Sequence, residues 1–181
     1  SLHPLHEART CGSPQAVEHL NPPASSTMVR KGRARIVLGW REWLSLPQLG
    51  VACIRAKVDS GARSSCLHVL DQELFERDGR QLVRFVLEAG LRQEVRRSVE
   101  AEVIDQRMVT DSGGHRSQRI FIRTLLQLPQ GQAWPIEINL TYRQNMLFPM
   151  LLGRAALRRR CLVEPARSFL LGVPTEGEDT P

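Results

Sequence analysis

Along the middle of the chain, apolar positions come in short runs broken by turn residues: "RIVLGW", "VACIRAKV", "SSCLHVL", "LVRFVLEA", "SVEAEVID", "RIFIRTLLQL", "WPIEINLTY" and "MLFPMLLG". In "WPIEINLTY", Ile136, Ile138 and Leu140 alternate with Glu137, Asn139 and Thr141; in "RIFIRTLLQL", Ile120 and Ile122 alternate with Phe121 and Arg123. A period of two belongs to strands with one face on a core. The pattern therefore predicts a mostly β domain. One helix is expected to begin at Arg154 in "RAALRRR", and "LDQELFER" has room for a second helical turn. No internal repeat argues for a solenoid.

Residues 1–33, with "GSPQ" and "NPPASS", carry no such period and read as a flexible leader; the ending "VPTEGEDTP" makes residues 173–181 a disordered acidic tail. The fold is expected to occupy residues 34–172. The 181 residues, 41% hydrophobic and 24% charged, suit one domain with tails rather than two.

No apolar run approaches the ~18 residues of a membrane-spanning helix, so no membrane association is expected. Cys11, Cys53, Cys66 and Cys161 are scattered, which fits neither a disulfide framework nor a zinc ribbon and points to a reducing compartment. A cytoplasmic location follows, while the start at Ser1 rather than Met leaves export or a periplasmic location open.

The net charge is +6, and the stretch from Arg30 to Arg63 sets Arg30, Lys31, Arg33, Arg35, Arg41, Arg55, Lys57 and Arg63 against Glu42 and Asp59. Such a surface attracts anions: an acidic polypeptide or nucleic acid. With aromatics at 5% and no aromatic–basic interleaving, nucleic acid is not favoured. "LRRR" at residues 157–160 reads as a solvated helix face or as an anion contact.

Candidate chemistry centres on a tripeptide that occurs twice, as Asp59-Ser60-Gly61 and as Asp111-Ser112-Gly113. Asp59 ends one strand-like run and precedes another, which places a carboxylate on a tight loop between strands. Gly61 would permit a positive φ or a close approach, and Ser60 could fix the loop through its hydroxyl. The simpler reading of Asp59 is a structural Asx turn. Cys66 and His68 share a face of the following strand, but no oxyanion hole or third ligand accompanies them, so a half-buried histidine is expected rather than a thiol nucleophile or zinc ligand. Nothing signals a metal cluster or a phosphate loop.

"VDSGA" followed much later by "MLLGRAAL" resembles the paired motifs of retropepsin-like aspartic proteases, in which the second segment passes under the active-site loop. More narrowly, "LGWREWLSLPQLGVACIRAKVDSGARSSCLHV", "VTDSGGHRSQR" and "LTYRQNMLFPMLLGRAAL" look like the retropepsin-like bacterial family usually labelled ATP-dependent zinc proteases. Its members often accompany ATP-grasp ligases that add glutamate to a ribosomal protein. The resemblance implies an all-β closed barrel of the acid protease fold with one or two short helices; the ATP and zinc of the label find no support in these residues, which have no HExxH, no metal-ligand cluster and no phosphate loop, so no cofactor or metal is expected.

It also implies that Asp59 is catalytic, with Ser60, Gly61, Ala62, Leu152, Gly153 and Arg154 supporting its loop. Aspartic proteolysis needs two carboxylates that share a proton, so a homodimer that pairs two Asp59 side chains is expected, active at mildly acidic pH. The acid usually found four positions after the aspartate is Arg63 here. Either Arg154 finds another acid, or Arg63 and Arg154 make an electropositive cleft for an acidic, glutamate-rich polypeptide.

Asp111 is too near Asp59 in the chain for each to head a lobe of ~100 residues. "DSGGHRSQ" reads instead as a hairpin tip. The resemblance makes residues near 105–119 a flap or substrate-facing loop rather than an unrelated surface turn, with Arg63, Ser112, Gly113, Gly114 and His115 facing substrate; the hairpin around Ala89–Arg97 is the competing flap. Two functions stay open: a dimeric aspartic endopeptidase, and a silent protease-like module that binds an acidic protein or RNA.

Overall fold

A computed structural model of the chain describes residues 33–142 and 147–174. The expected leader and tail lie outside the described residues, apart from Arg33 and residues 173–174. The described residues form twelve strands: β1 (Ile36–Gly39), β2 (Arg41–Leu46), β3 (Val51–Asp59), β4 (Ser65–Val69), β5 (Asp71–Arg77), β6 (Arg80–Ala89), β7 (Val95–Glu102), β8 (Asp105–Thr110), β9 (Arg116–Gln127), β10 (Ala133–Tyr142), β11 (Met150–Gly153) and β12 (Cys161–Glu164). A 3₁₀ turn spans Pro47–Leu49 and a helix, α1, spans Arg154–Leu157. The fold is all-β, as the pattern predicts.

Strand order in the main sheet is β10-β4-β11-β3-β2-β9-β8, and β10 also pairs with β9. The sheet thus curls into a ring, but the seam between β2 and β9 is a single pair, Ser45 opposite Gln127, so the barrel is not strictly closed. The cause is local. Strand β2 shifts register between Leu44 and Leu46 and runs into Pro47, which has no N–H to donate. At the gap, the side-chain Oε1 of Gln48 accepts the Leu125 N–H at 2.9 Å, in place of a backbone partner.

Strands β5, β6 and β7 form a second, antiparallel sheet. "LDQELFER" is therefore strand rather than a helical turn. Asp78 and Gly79 both take positive φ, 53° and 73°, in the two-residue turn that joins β5 to β6; this turn type matches strand twist and fixes the hairpin. Strand β6 lays Val83, Phe85 and Leu87 onto the ring's core, where they meet Ile54, Leu67 and Leu152 in one apolar cluster. Each such buried side chain contributes ~1.5–3 kcal/mol.

Segment 167–171 straps across β1 and β2. The Trp40 N–H donates to the Arg167 carbonyl and the Phe169 N–H to the Arg41 carbonyl, both at 2.9 Å. Trp43 stacks on Phe169 with ring centroids 5.5 Å apart. At the centre is Glu42, with no exposed surface. Its carboxylate accepts the N–H groups of Gly39 (2.7 Å), Leu170 (3.0 Å) and Leu171 (3.4 Å).

Replacing Glu42 by leucine removes the acceptor for these N–H groups, and leaving buried donors unsatisfied costs ~1–3 kcal/mol each. Glu42→Leu is expected to lower unfolding free energy by about 2–5 kcal/mol, measured by urea denaturation. Unchanged stability would show that the strap does not depend on this carboxylate.

Candidate active site

The loop Ser60–Ser64 joins β3 to β4, and β11 threads between these two strands. It runs parallel to β3, with Leu152 opposite Val58 and Gly153 opposite Asp59, and antiparallel to β4, with Met150 opposite Leu67. Met150 and Leu152 are fully buried. The segment Met150–Gly153 thus lies between the two strands that leave the ends of the Asp59 loop.

Gly153 is required by space, since a Cβ there would sit 2.5 Å from the carbonyl carbon of Ser64. Its N–H donates to Ser65 Oγ at 3.0 Å. Beyond it, the N–H groups of Arg154 and Ala155 donate to the carbonyls of Ala62 (2.7 Å) and Arg63 (3.0 Å). Arg154 Nη1 donates to the carbonyls of Ser60 and Gly61, both at 3.3 Å. Four successive loop carbonyls are therefore held by two residues. Arg154 takes neither sequence alternative in full: it lines the cleft, but its partners there are carbonyls rather than an acid. Arg63 is exposed at the rim and makes no ion pair among the described residues.

Asp59 is partly buried, and its Oδ1 accepts the N–H groups of Gly61 (2.9 Å) and Ala62 (3.2 Å). A Cβ at Gly61 would lie 3.2 Å from that oxygen, a tight approach that the carboxylate would have to relieve by a small shift; the φ of Gly61 is not positive. Ser60 is exposed and makes no side-chain hydrogen bond among the described residues; the hydroxyl that fixes the loop is that of Ser65.

The second tripeptide forms the same Asx turn. Asp111 Oδ1 accepts the N–H groups of Gly113 and His115, both at 2.9 Å, at the tip of the β8–β9 hairpin. That tip and the Asp59 loop line one cavity of about 640 Å³. Val109, Thr110, Asp111 and Ser112 form its hairpin side; Gly113, Gly114 and His115 are not on its wall, and the His115 side chain is 86% exposed. The hairpin around Ala89–Arg97 does not reach this cavity.

Ser64, Asn139, Thr141 and Leu151 also line the wall and were not legible as site residues, whereas Arg119 stands at the edge of the expected flap segment. Asn139 is buried, donates through Nδ2 to the Ser65 carbonyl at 2.8 Å, and accepts at Oδ1 from Thr141 Oγ1 (3.0 Å) and Arg119 Nη1 (3.2 Å). Alternation in "WPIEINLTY" marks Asn139 and Thr141 as a polar face but does not show that this face lines a cavity. Cys66 and His68 line the cavity too. Among the described residues no three His, Cys, Asp or Glu side chains are grouped to hold a metal ion, and no helix is long and apolar enough to cross a membrane.

A strand-flanked Asp-Ser-Gly loop with a third strand threaded beneath it defines the retropepsin-like class of fold. Residues 37–173 match the family described as RimB-like, retropepsin-like aspartic endopeptidase RimB, and the chain belongs to that family. It is 40% identical over 140 residues to a probable alpha-L-glutamate ligase of Shewanella pealeana, covering 76% of this chain and 30% of that protein. It is also 40% identical over 141 residues to a probable alpha-L-glutamate ligase of Desulfotalea psychrophila, covering 77% and 30%. The chain thus spans under a third of the length of these relatives. A protein of unknown function from Legionella pneumophila has a similar crystal structure, with TM-score 0.62 and 27% identity over 76% of this chain and 99% of that one.

Two outcomes follow from this geometry. Gly153→Ala should cost about 1–3 kcal/mol or more, because the methyl meets backbone rather than a flexible side chain; denaturation measures it, and wild-type stability would contradict the threading. Burial pushes the Cys161 thiol up to about 11, with Arg160 pulling weakly the other way. Little thiolate exists below that value, so Cys161 should alkylate far more slowly at neutral pH than a free peptide thiol, as read by mass spectrometry of its peptide.

Proposed function

We propose that this domain is an aspartic endopeptidase that acts as a homodimer on acidic, glutamate-rich polypeptides. The observation that carries the reading is the Asp59 carboxylate, held by two N–H groups on a loop braced by β11, at the wall of a cavity faced by a hairpin tip. In the reaction, the ionised member of an Asp59 pair takes a proton from water as its oxygen attacks the scissile carbonyl carbon. The protonated member donates to the carbonyl oxygen. Collapse of the tetrahedral species then breaks the C–N bond as the leaving nitrogen takes up a proton.

The second carboxylate comes from a second copy. Val37 and Leu162 support a docking face: they are register partners on β1 and β12 yet 46% and 49% exposed. Leu162 also borders a groove of about 900 Å³ that reaches the Asp59 loop at Ser60. The hairpin tip at Asp111 and Ser112 acts as the flap. Two features favour an acidic substrate: Arg63, Arg119 and Arg154 stand on the cavity wall, and the longer relatives are named glutamate ligases.

The test is hydrolysis of glutamate-rich and neutral peptides between about pH 4 and 8, alongside sedimentation of the chain. Asp59→Asn should reduce turnover by about 10²- to 10⁴-fold, and Asp111→Asn should change it far less. EDTA should have no effect, and the rate per chain should track the dimer fraction. Turnover that survives Asp59→Asn, or that only chelation abolishes, would overturn the reading; no turnover by either protein, with salt-sensitive binding of an acidic peptide or RNA retained, would favour the silent binding module.

A further inference from the structure

The arginines of the β8–β9–β10 face fall into two kinds. Arg107 is paired with Asp105 at 2.7 Å and with Glu137 at 3.1 Å, and Arg123 reaches Glu137 at 3.5 Å. Arg119, on β9 directly opposite Arg107, makes no ion pair among the described residues and lines the cavity that holds Asp59. Its guanidinium is nevertheless positioned: Nη1 donates to Asn139 Oδ1 at 3.2 Å and Nε donates to Ser117 Oγ at 3.2 Å.

Guanidinium carries five N–H donors in a planar fork. These two bonds orient the plane without neutralising its charge. A half-buried cation held by neutral acceptors, and aimed into a cavity, is arranged to receive a carboxylate in a charge-assisted, two-point hydrogen bond.

The geometry points to Arg119 as the specificity-determining residue that reads the side-chain carboxylate of an acidic substrate residue in the Asp59 cavity. This rests on the peptidase reading above and goes further by assigning the recognition to one residue. Arg154 is less suited, because its Nη1 is committed to the carbonyls of Ser60 and Gly61. Arg63 is exposed, where water screens its charge more than that of a half-buried group. The Asn139 amide that orients Arg119 also holds the Ser65 carbonyl, and Ser65 Oγ receives the Gly153 N–H opposite Asp59. Recognition and loop placement therefore share one hydrogen-bond chain.

The decisive comparison uses paired peptides that differ only by Glu or Gln at the recognised position, with kcat/KM measured for wild type, Arg119→Met and Arg119→Lys. Methionine keeps an unbranched apolar stem without charge, and thermal denaturation establishes that each variant is folded. Wild type should prefer the Glu peptide by about 10- to 100-fold. Arg119→Met should bring the ratio near unity, and Arg119→Lys should restore part of it. An equal proportional loss on both peptides, or an unchanged ratio, would overturn the assignment. If wild type hydrolyses neither peptide, the peptidase reading fails but Arg119 is still tested: the same peptides, fluorescently labelled, are titrated onto wild type and Arg119→Met. A Glu preference that disappears in the variant supports the role. No binding, or the same preference in both proteins, refutes it.

Discussion

The insertion of β11 between β3 and β4 is the contact on which the site depends. Two strands leaving the ends of one short loop would ordinarily pair with each other; here a third strand separates them and satisfies the inner edges of both. The loop must then pass over the end of that strand. It does so because Gly153 offers no Cβ at the crossing and because loop carbonyls are taken up by N–H groups and a guanidinium of Arg154 and Ala155. A loop with its carbonyls engaged in this way has little conformational freedom left, which is what a positioned carboxylate needs.

The repeated tripeptide separates local from tertiary effects. Both aspartates accept the N–H of the residue two positions on, at 2.9 Å, so the same letters make the same turn. They differ in what lies beneath. Asp59 sits over β11 in the main sheet, whereas Asp111 caps a two-strand hairpin with exposed glycines. The first turn rests on a strand of the main sheet and the second ends a two-strand hairpin, a difference in support that suits the roles of active-site loop and flap proposed above.

Charge is divided in a comparable way. On the three-stranded sheet, Arg84 and then Arg77 hold the Glu100 carboxyl below its ordinary value, and Arg96 and Arg80 pair with Glu88 and Glu102. Exposed pairs of this kind add little stability. Their consequence is neutralisation of that surface, which leaves arginines at the Asp59 cavity among those without acidic partners among the described residues. A net positive charge spread along the sequence becomes a local feature only through this pairing.

By itself the sequence determined the local elements: strands from their period of two, α1 after Gly153, the Asx turns from Asp-Ser-Gly, and the pairing of "VDSGA" with "MLLGRAAL". These depend on residues near one another in the chain or on a recognisable pair of strings. "LDQELFER" misled because its polar face allows either element, and the Asp-Gly turn that settles it as strand lies just beyond. The buried Glu42 occupies an inward position of β2 and disguises the alternation there. Only the tertiary structure decided that Asn139, Thr141 and Arg119 face the Asp59 cavity, that Ser65 rather than Ser60 fixes the loop, and that Arg154 binds carbonyls. Each of these requires strands distant in sequence to be neighbours in the sheet, and a polar side chain's pattern position is the same whether its face meets water or a cleft.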